Sequence, residues 1–96
     1  MLIKAGVDIT RLDRNTRRGL GRTGAVLQGH AQDFIVTSTY EGTHGDGSLH
    51  YANQAFDIRK PTDERETILA ELKAELGHLF DVVVEVNHWH IEYDPK

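Results

Sequence analysis

Asp81-Val82-Val83-Val84-Glu85-Val86-Asn87-His88-Trp89-His90-Ile91-Glu92-Tyr93 is the stretch that decides the fold. Residues 81 to 86 are rich in β-branched side chains and read as a strand. Asn87 is a turn residue type, and residues 89 to 93 read as a second strand. Pro95 then ends the fold.

Working back from this pair, Ile68, Leu69, Leu72 and Leu76 repeat at helical spacing. Thr62 or Asp63 is the expected cap of that helix, and Gly77 sits where a left-handed C-terminal residue is wanted. Gln54 to Arg59 reads as a short strand closed by Pro61, and Phe34 to Tyr40 as a β-branched and aromatic one. Between them, Gly42, Gly45 and Gly47 mark residues 41 to 53 as a loop. Residues 8 to 31 read as a helical region capped by Asp8 or Thr10, with Leu12, Leu20, Val26 and Leu27 as its inner face. Gly19, Gly21, Gly24 and Gly29 each weaken a helix by ~1 kcal/mol relative to Ala, so two short helices or a kink are expected. The order helix, strand, loop, strand, helix, strand, strand predicts an α+β fold, a small, mostly antiparallel sheet with packed helices.

The chain has 96 residues, a length that predicts one domain over 1–96. Its formal net charge of −4 argues against a general nucleic-acid binder. Arg11, Arg14, Arg17, Arg18 and Arg22 run against that average and read first as a solvated helix face, second as a contact for an anionic polymer. Cysteine is absent, which excludes disulfides and thiol nucleophiles and leaves His and carboxylates as metal ligands. Residues 1 to 7 are too short an apolar run for a signal peptide, and no stretch is long enough to span a membrane. The expectation is therefore cytoplasmic synthesis, with neither a membrane nor a nucleic acid as partner. Gly19-Leu20-Gly21-Arg22-Thr23-Gly24 matches a dinucleotide-binding pattern, but no strand is expected before it, so it is read as accidental. His30 and His78 are read as solvated.

His50, Asp57 and the pair His88 and His90 make a candidate metal constellation. Three protein ligands with a vacant fourth position is the arrangement of a catalytic zinc. Fully extended, the seven residues from His50 to Asp57 would span ~23 Å, so the chain must bend between them, and Asn53 falls in that bend. Two residues apart on a strand, His88 and His90 point to one face, one to bind metal and the other to line the cleft; Glu92 continues that face. The nitrogen and oxygen donors suit zinc and leave iron, cobalt and manganese open.

Ser48-x-His50-x-x-Asn53-x-Ala55-x-Asp57 followed by His88-x-His90 resembles the M15 family of zinc D-Ala-D-Ala carboxypeptidases and L-alanyl-D-glutamate endopeptidases, which has the hedgehog/DD-peptidase fold. The resemblance covers roughly Thr37 to Asp94. It implies one zinc ion held by His50, Asp57 and His90, with Ser48 orienting the loop or the Asp57 carboxylate and His88 polarising the tetrahedral intermediate. The substrate it implies is a cell-wall peptide containing D-amino acids, cleaved by metal-activated water in the manner of a phage or bacterial lysin. Access to the wall would come by cell lysis or on a particle.

Two positions depart from the family pattern. Asn53 replaces the motif glycine, a swap that a left-handed backbone would tolerate. Asn87 stands where the family commonly has an acidic base, and an amide cannot take a proton from water. Glu85 is the nearest substitute, if a bend at Asn87 aims it inward. Arg59 and His44 are candidates to bind a substrate carboxylate. The rival readings are a zinc-containing binding module of the same fold that has lost activity, and a metal-dependent phosphodiesterase or nuclease, against which the acidic charge counts.

Overall fold

The computed structural model describes residues 1–39 and 53–95. Among these, five strands and two helices form an α+β fold: β1 (Leu2–Ile3), α1 (Arg14–Gly29), β2 (Ile35–Ser38), β3 (Ala55–Ile58), α2 (Arg65–Leu76), β4 (Phe80–Val84) and β5 (Trp89–Tyr93). A 3-10 turn, Gly77–Leu79, links α2 to β4. The sheet order is β1-β2-β3-β5-β4. Three of its pairings are antiparallel; β1 and β2 run parallel. The mostly antiparallel sheet read from the sequence is therefore present, with one parallel edge added.

That edge strand was not expected. It is two residues long, too short for any alternation to register, and its pairing is made by the Leu2 and Lys4 N–H groups donating to the Phe34 and Val36 carbonyls at 2.8 and 2.9 Å. Parallel neighbours need a crossover connection, and α1 provides it. A strand does therefore precede the glycine pattern at 19–24, contrary to expectation, but those glycines lie inside α1 and not at a strand-to-helix turn.

α1 is one helix, not two. Asp13 caps it, its carboxylate accepting from the Thr16 N–H at 2.8 Å. The expected caps, Asp8 and Thr10, bond each other instead in a turn upstream. Packing explains the tolerance of glycine. A Cβ on Gly19 would lie 2.5 Å from the Phe80 ring, and one on Gly24 2.7 Å from the Phe34 ring. The helix approaches the sheet closely at these two points, and the dispersion gained offsets the weak propensity. Nothing lies within 4 Å of a Cβ on Gly21. Gly24→Ala is thus expected to destabilise by about 1–2 kcal/mol net, since Phe34 is buried and must shift. Gly21→Ala is expected to stabilise by about 0.5–1 kcal/mol. Thermal melts of the two variants check the contrast; a gain from both would show that the Phe34 ring yields freely.

α2 also begins otherwise than expected. Its N-cap is Glu64, at φ 52°, and the Asp63 carboxylate accepts from the Glu64 N–H at 2.9 Å. Gly77 has φ 72° and ψ −168°, which is not left-handed helical but is a region open essentially to glycine alone. Buried Ile68, Leu72 and Leu76 face the sheet, and with Leu20, Leu27, Val36, Phe56, Ile58, Trp89 and Ile91 they make one core.

His78 is exposed, but His30 is not simply solvated. It follows the end of α1, and its two ring nitrogens meet two carboxylates of the α2 segment, one at the cap and one mid-helix: Nδ1 lies 3.2 Å from Glu64 and Nε2 contacts Glu71. Both contacts are satisfied only by the imidazolium, which has two N–H groups to donate. The Glu71 and Glu64 hydrogen bonds raise the His30 pKa above its ordinary value. The contribution is fully present below the unfolded-state pKa and fades as pH rises through the folded-state one. Thermal stability should therefore decline over that window, and His30→Gln should flatten the decline; parallel profiles for parent and variant would remove His30 as the cause.

Candidate metal centre

Alternation along the strands sorts the sheet into two faces. Phe56 and Ile58 of β3 and Trp89 and Ile91 of β5 enter the core under the helices. Asp57 and His90 therefore point to the opposite face, and the register places them directly across from each other. On β4, Asp81 opposes Glu92 and Val83 opposes His90, so these share that face. The Glu85 N–H donates to the His88 carbonyl at 3.0 Å, one step beyond the Val84–Trp89 pair. Glu85 thus lies opposite His88, just beyond the end of β4, and the chain bends at Val86, Asn87 and His88, where the sequence reading asked for a bend.

Two imidazoles bracket one carboxylate. His90 Nδ1 lies 2.8 Å from Asp57 Oδ1, and His88 Nε2 lies 3.6 Å from Asp57 Oδ2. Asp57 is nearly buried, at 8% exposure, and the Asp57 hydrogen bond holds the His90 imidazole above its usual pKa against the effect of burial. The charges of Asp57, Glu92 and Glu85 act in the same direction. The Glu85 carboxylate is exposed, yet its field reaches His90.

The outer partners are also in place. His90 Nε2 is 3.6 Å from Glu92 Oε1, the kind of carboxylate that orients a ligating histidine through its second nitrogen. His88 Nδ1 donates to Asn87 Oδ1 at 2.6 Å, which leaves Nε2 directed at the Asp57 side. This is a role for Asn87 that the sequence did not suggest. Asn53 has φ 61°, the left-handed backbone that its replacement of a glycine required, and its carbonyl accepts from the Asp13 N–H at 3.0 Å.

The donor chemistry fits a divalent cation. Oxygen and nitrogen ligands on a tetrahedral zinc sit about 3.3 Å apart, given bonds of about 2.0 Å. The facing atoms of Asp57 and His90 are 2.8 Å apart, so a cation displacing the shared proton needs only a small widening. Among the described residues, no group of three or more histidines and carboxylates is assembled around one point. His50, the expected third ligand, lies outside the described residues, as do Ser48 and His44. Arg59 is described: it is exposed, two residues past Asp57, and its N–H donates to the Ile35 carbonyl at 3.0 Å. It lines a small cleft with Asp33, Ile35 and Lys60, apart from the histidine pair.

No protein-family model matches the chain, and neither does any curated protein.

Proposed function

We propose that the chain is a zinc metallopeptidase of the M15 type, with the hedgehog/DD-peptidase fold, that hydrolyses a peptide bond in bacterial cell-wall peptides. The observation that carries this reading is the bracketing of the Asp57 carboxylate by His88 and His90 on one sheet face. Strands hold Asp57 and His90, with His88 one residue before β5, and stiff supports are what a catalytic constellation needs. The order of the sequence motifs adds the family and the substrate class.

Asp57 and His90 would hold the ion together with His50. When bound, zinc polarises a carbonyl and lowers the pKa of its water toward neutrality. Glu85 faces the same side and serves as the general base, returning the proton to the leaving amine. His88, its Nδ1–H fixed on Asn87, presents Nε2 toward the reacting group and, when protonated there, donates to the developing oxyanion. Glu92 keeps the His90 ring oriented. Ser48 would support the ligand loop, whereas Arg59, the sequence candidate for a substrate carboxylate, lines a cleft apart from the histidine pair and is given no role at the ion.

One observation favours a second reading, a zinc-holding module without activity. Asn87, at the position of the family's acid, is already engaged by His88. Elemental analysis of the purified protein, with digestion of peptidoglycan and of a D-alanyl peptide, separates the two. One zinc per chain and hydrolysis that chelation abolishes and zinc restores support the peptidase. Zinc without hydrolysis supports the module. Neither metal nor hydrolysis sinks both.

A further inference from the structure

The arginines of α1 are left over by the proposed catalytic site. We infer that the outer face of α1, together with β1, docks on an anionic lipid surface. Arg14, Arg17, Arg18 and Arg22 are all exposed, and none has an ion-pair partner among the described residues. α1 contains no Asp or Glu at all, and its first turn carries no acid. The carboxylates of α2 that reach α1, Glu64 and Glu71, meet His30 at its far end.

This arrangement works against the helix itself. Arg14, Arg18 and Arg22 repeat at four-residue spacing, where like charges repel. They also crowd the N-terminal half, where the helix dipole disfavours cations. Helix stability therefore does not account for them, whereas an external anion does.

The adjoining surface indicates which kind of anion. Met1 and Ile3 are 53% and 42% exposed, and the pairing of Ile3 with core-facing Val36 puts these two apolar side chains on the α1 side of the edge strand. Met1 and Arg17 line the same shallow depression with Gly21 and Phe34, so the apolar cluster abuts the arginine face. Cations beside exposed large apolar side chains match the headgroup and acyl layers of an anionic bilayer. A phosphate polymer such as nucleic acid would use the arginines and leave Met1 and Ile3 in water.

No described helix is long and apolar enough to cross a membrane, so the contact is peripheral. The sequence-based expectation was that a membrane is not a partner, and this inference departs from it. Asp57, His90 and Glu85 lie on the face of the sheet away from α1, so docking leaves them open to solvent, and the carboxylates there turn α1 toward the anionic surface. This inference stands independently of the metal centre.

Co-sedimentation with vesicles tests it. Binding is expected to vesicles of phosphatidylglycerol and phosphatidylcholine in equal parts, not to phosphatidylcholine alone, and is expected to weaken with added salt. Each arginine should contribute roughly 5-fold, so R14Q/R17Q/R18Q/R22Q should lose a hundredfold or more. Should that variant melt early, R18Q/R22Q should still lose roughly 25-fold. Ile3→Ser should lose several-fold at unchanged charge. The proposal is overturned if the parent ignores anionic vesicles, or binds both vesicle types equally. It is also overturned if Ile3→Ser binds like the parent, and full competition by duplex DNA would then assign the face to a polyanion.

Discussion

Replacing Asp57 with Asn should yield a folded protein that holds no zinc and has lost hydrolysis by roughly a thousandfold or more, about 4 kcal/mol of transition-state stabilisation. Asn matches Asp in shape, so the nearly buried position on β3 remains filled. What disappears is the charge. A neutral amide is a poor zinc ligand, and it no longer balances the two imidazoles that approach the carboxylate from either side. Exchanging a charge-assisted hydrogen bond for a neutral one should lower stability by only about 1–2 kcal/mol. In metal-free protein, the His90 imidazole should also titrate lower in the variant, because the Asp57 bond is the main influence raising it. Zinc content, peptide hydrolysis and the imidazole NMR signals read these effects separately. If parent and variant are equally free of metal and differ only in stability, Asp57 and His90 form a structural ion pair and the peptidase reading fails.

Much of the strand framework was legible because the signals were local. The valine run of β4 and the alternation of Trp89, His90, Ile91 and Glu92 show directly which side chains share a face. The meeting of Asp57 with His90 was not legible in the same way. Those residues are 33 apart, and only the pairing of β3 with β5 brings them into register. The motif order supplied the expectation that a three-dimensional contact exists, and the register supplies the contact for these two. The placement of Glu85 was legible only as a condition, a bend at Asn87; the chain does bend at Val86, Asn87 and His88, and the pairing of β4 with β5 sets Glu85 across from His88.

The helices show where propensity misleads. Four glycines in α1 argue for a break when each is charged its intrinsic penalty. Two of them stand against aromatic rings, so the same residues that weaken the isolated helix let it lie closely on the sheet. That compensation depends on Phe34 and Phe80, one beyond the end of α1 and the other on a distant strand, and no window along α1 contains it. His30 is a similar case: nothing in its neighbours predicts two carboxylates from α2, because tertiary packing alone supplies them.

Changing Glu85 to Gln should lower kcat by 10²- to 10⁴-fold, the range for loss of a general acid–base group, while zinc content stays at that of the parent. The separation matters because Glu85 and Glu92 both face the histidine side of the sheet yet are asked to do different things. Glu92 approaches His90 Nε2 at 3.6 Å and in the proposed site orients that ring, so Glu92→Gln should weaken zinc binding by about 10- to 100-fold, with activity recovering at high zinc. Glu85 touches no ligand histidine directly; it acts on His90 through charge and stands exposed above His88. Its variant should not be rescued by zinc. Asn87→Asp provides the complementary experiment, since it restores an acid where the family pattern has one and keeps an acceptor for His88 Nδ1. In the E85Q background, this change should recover part of the lost rate if proton transfer is what Glu85 supplied. An E85Q enzyme within twofold of the parent would show that the base is elsewhere, and rescue of E85Q by zinc would move Glu85 from proton transfer to metal retention.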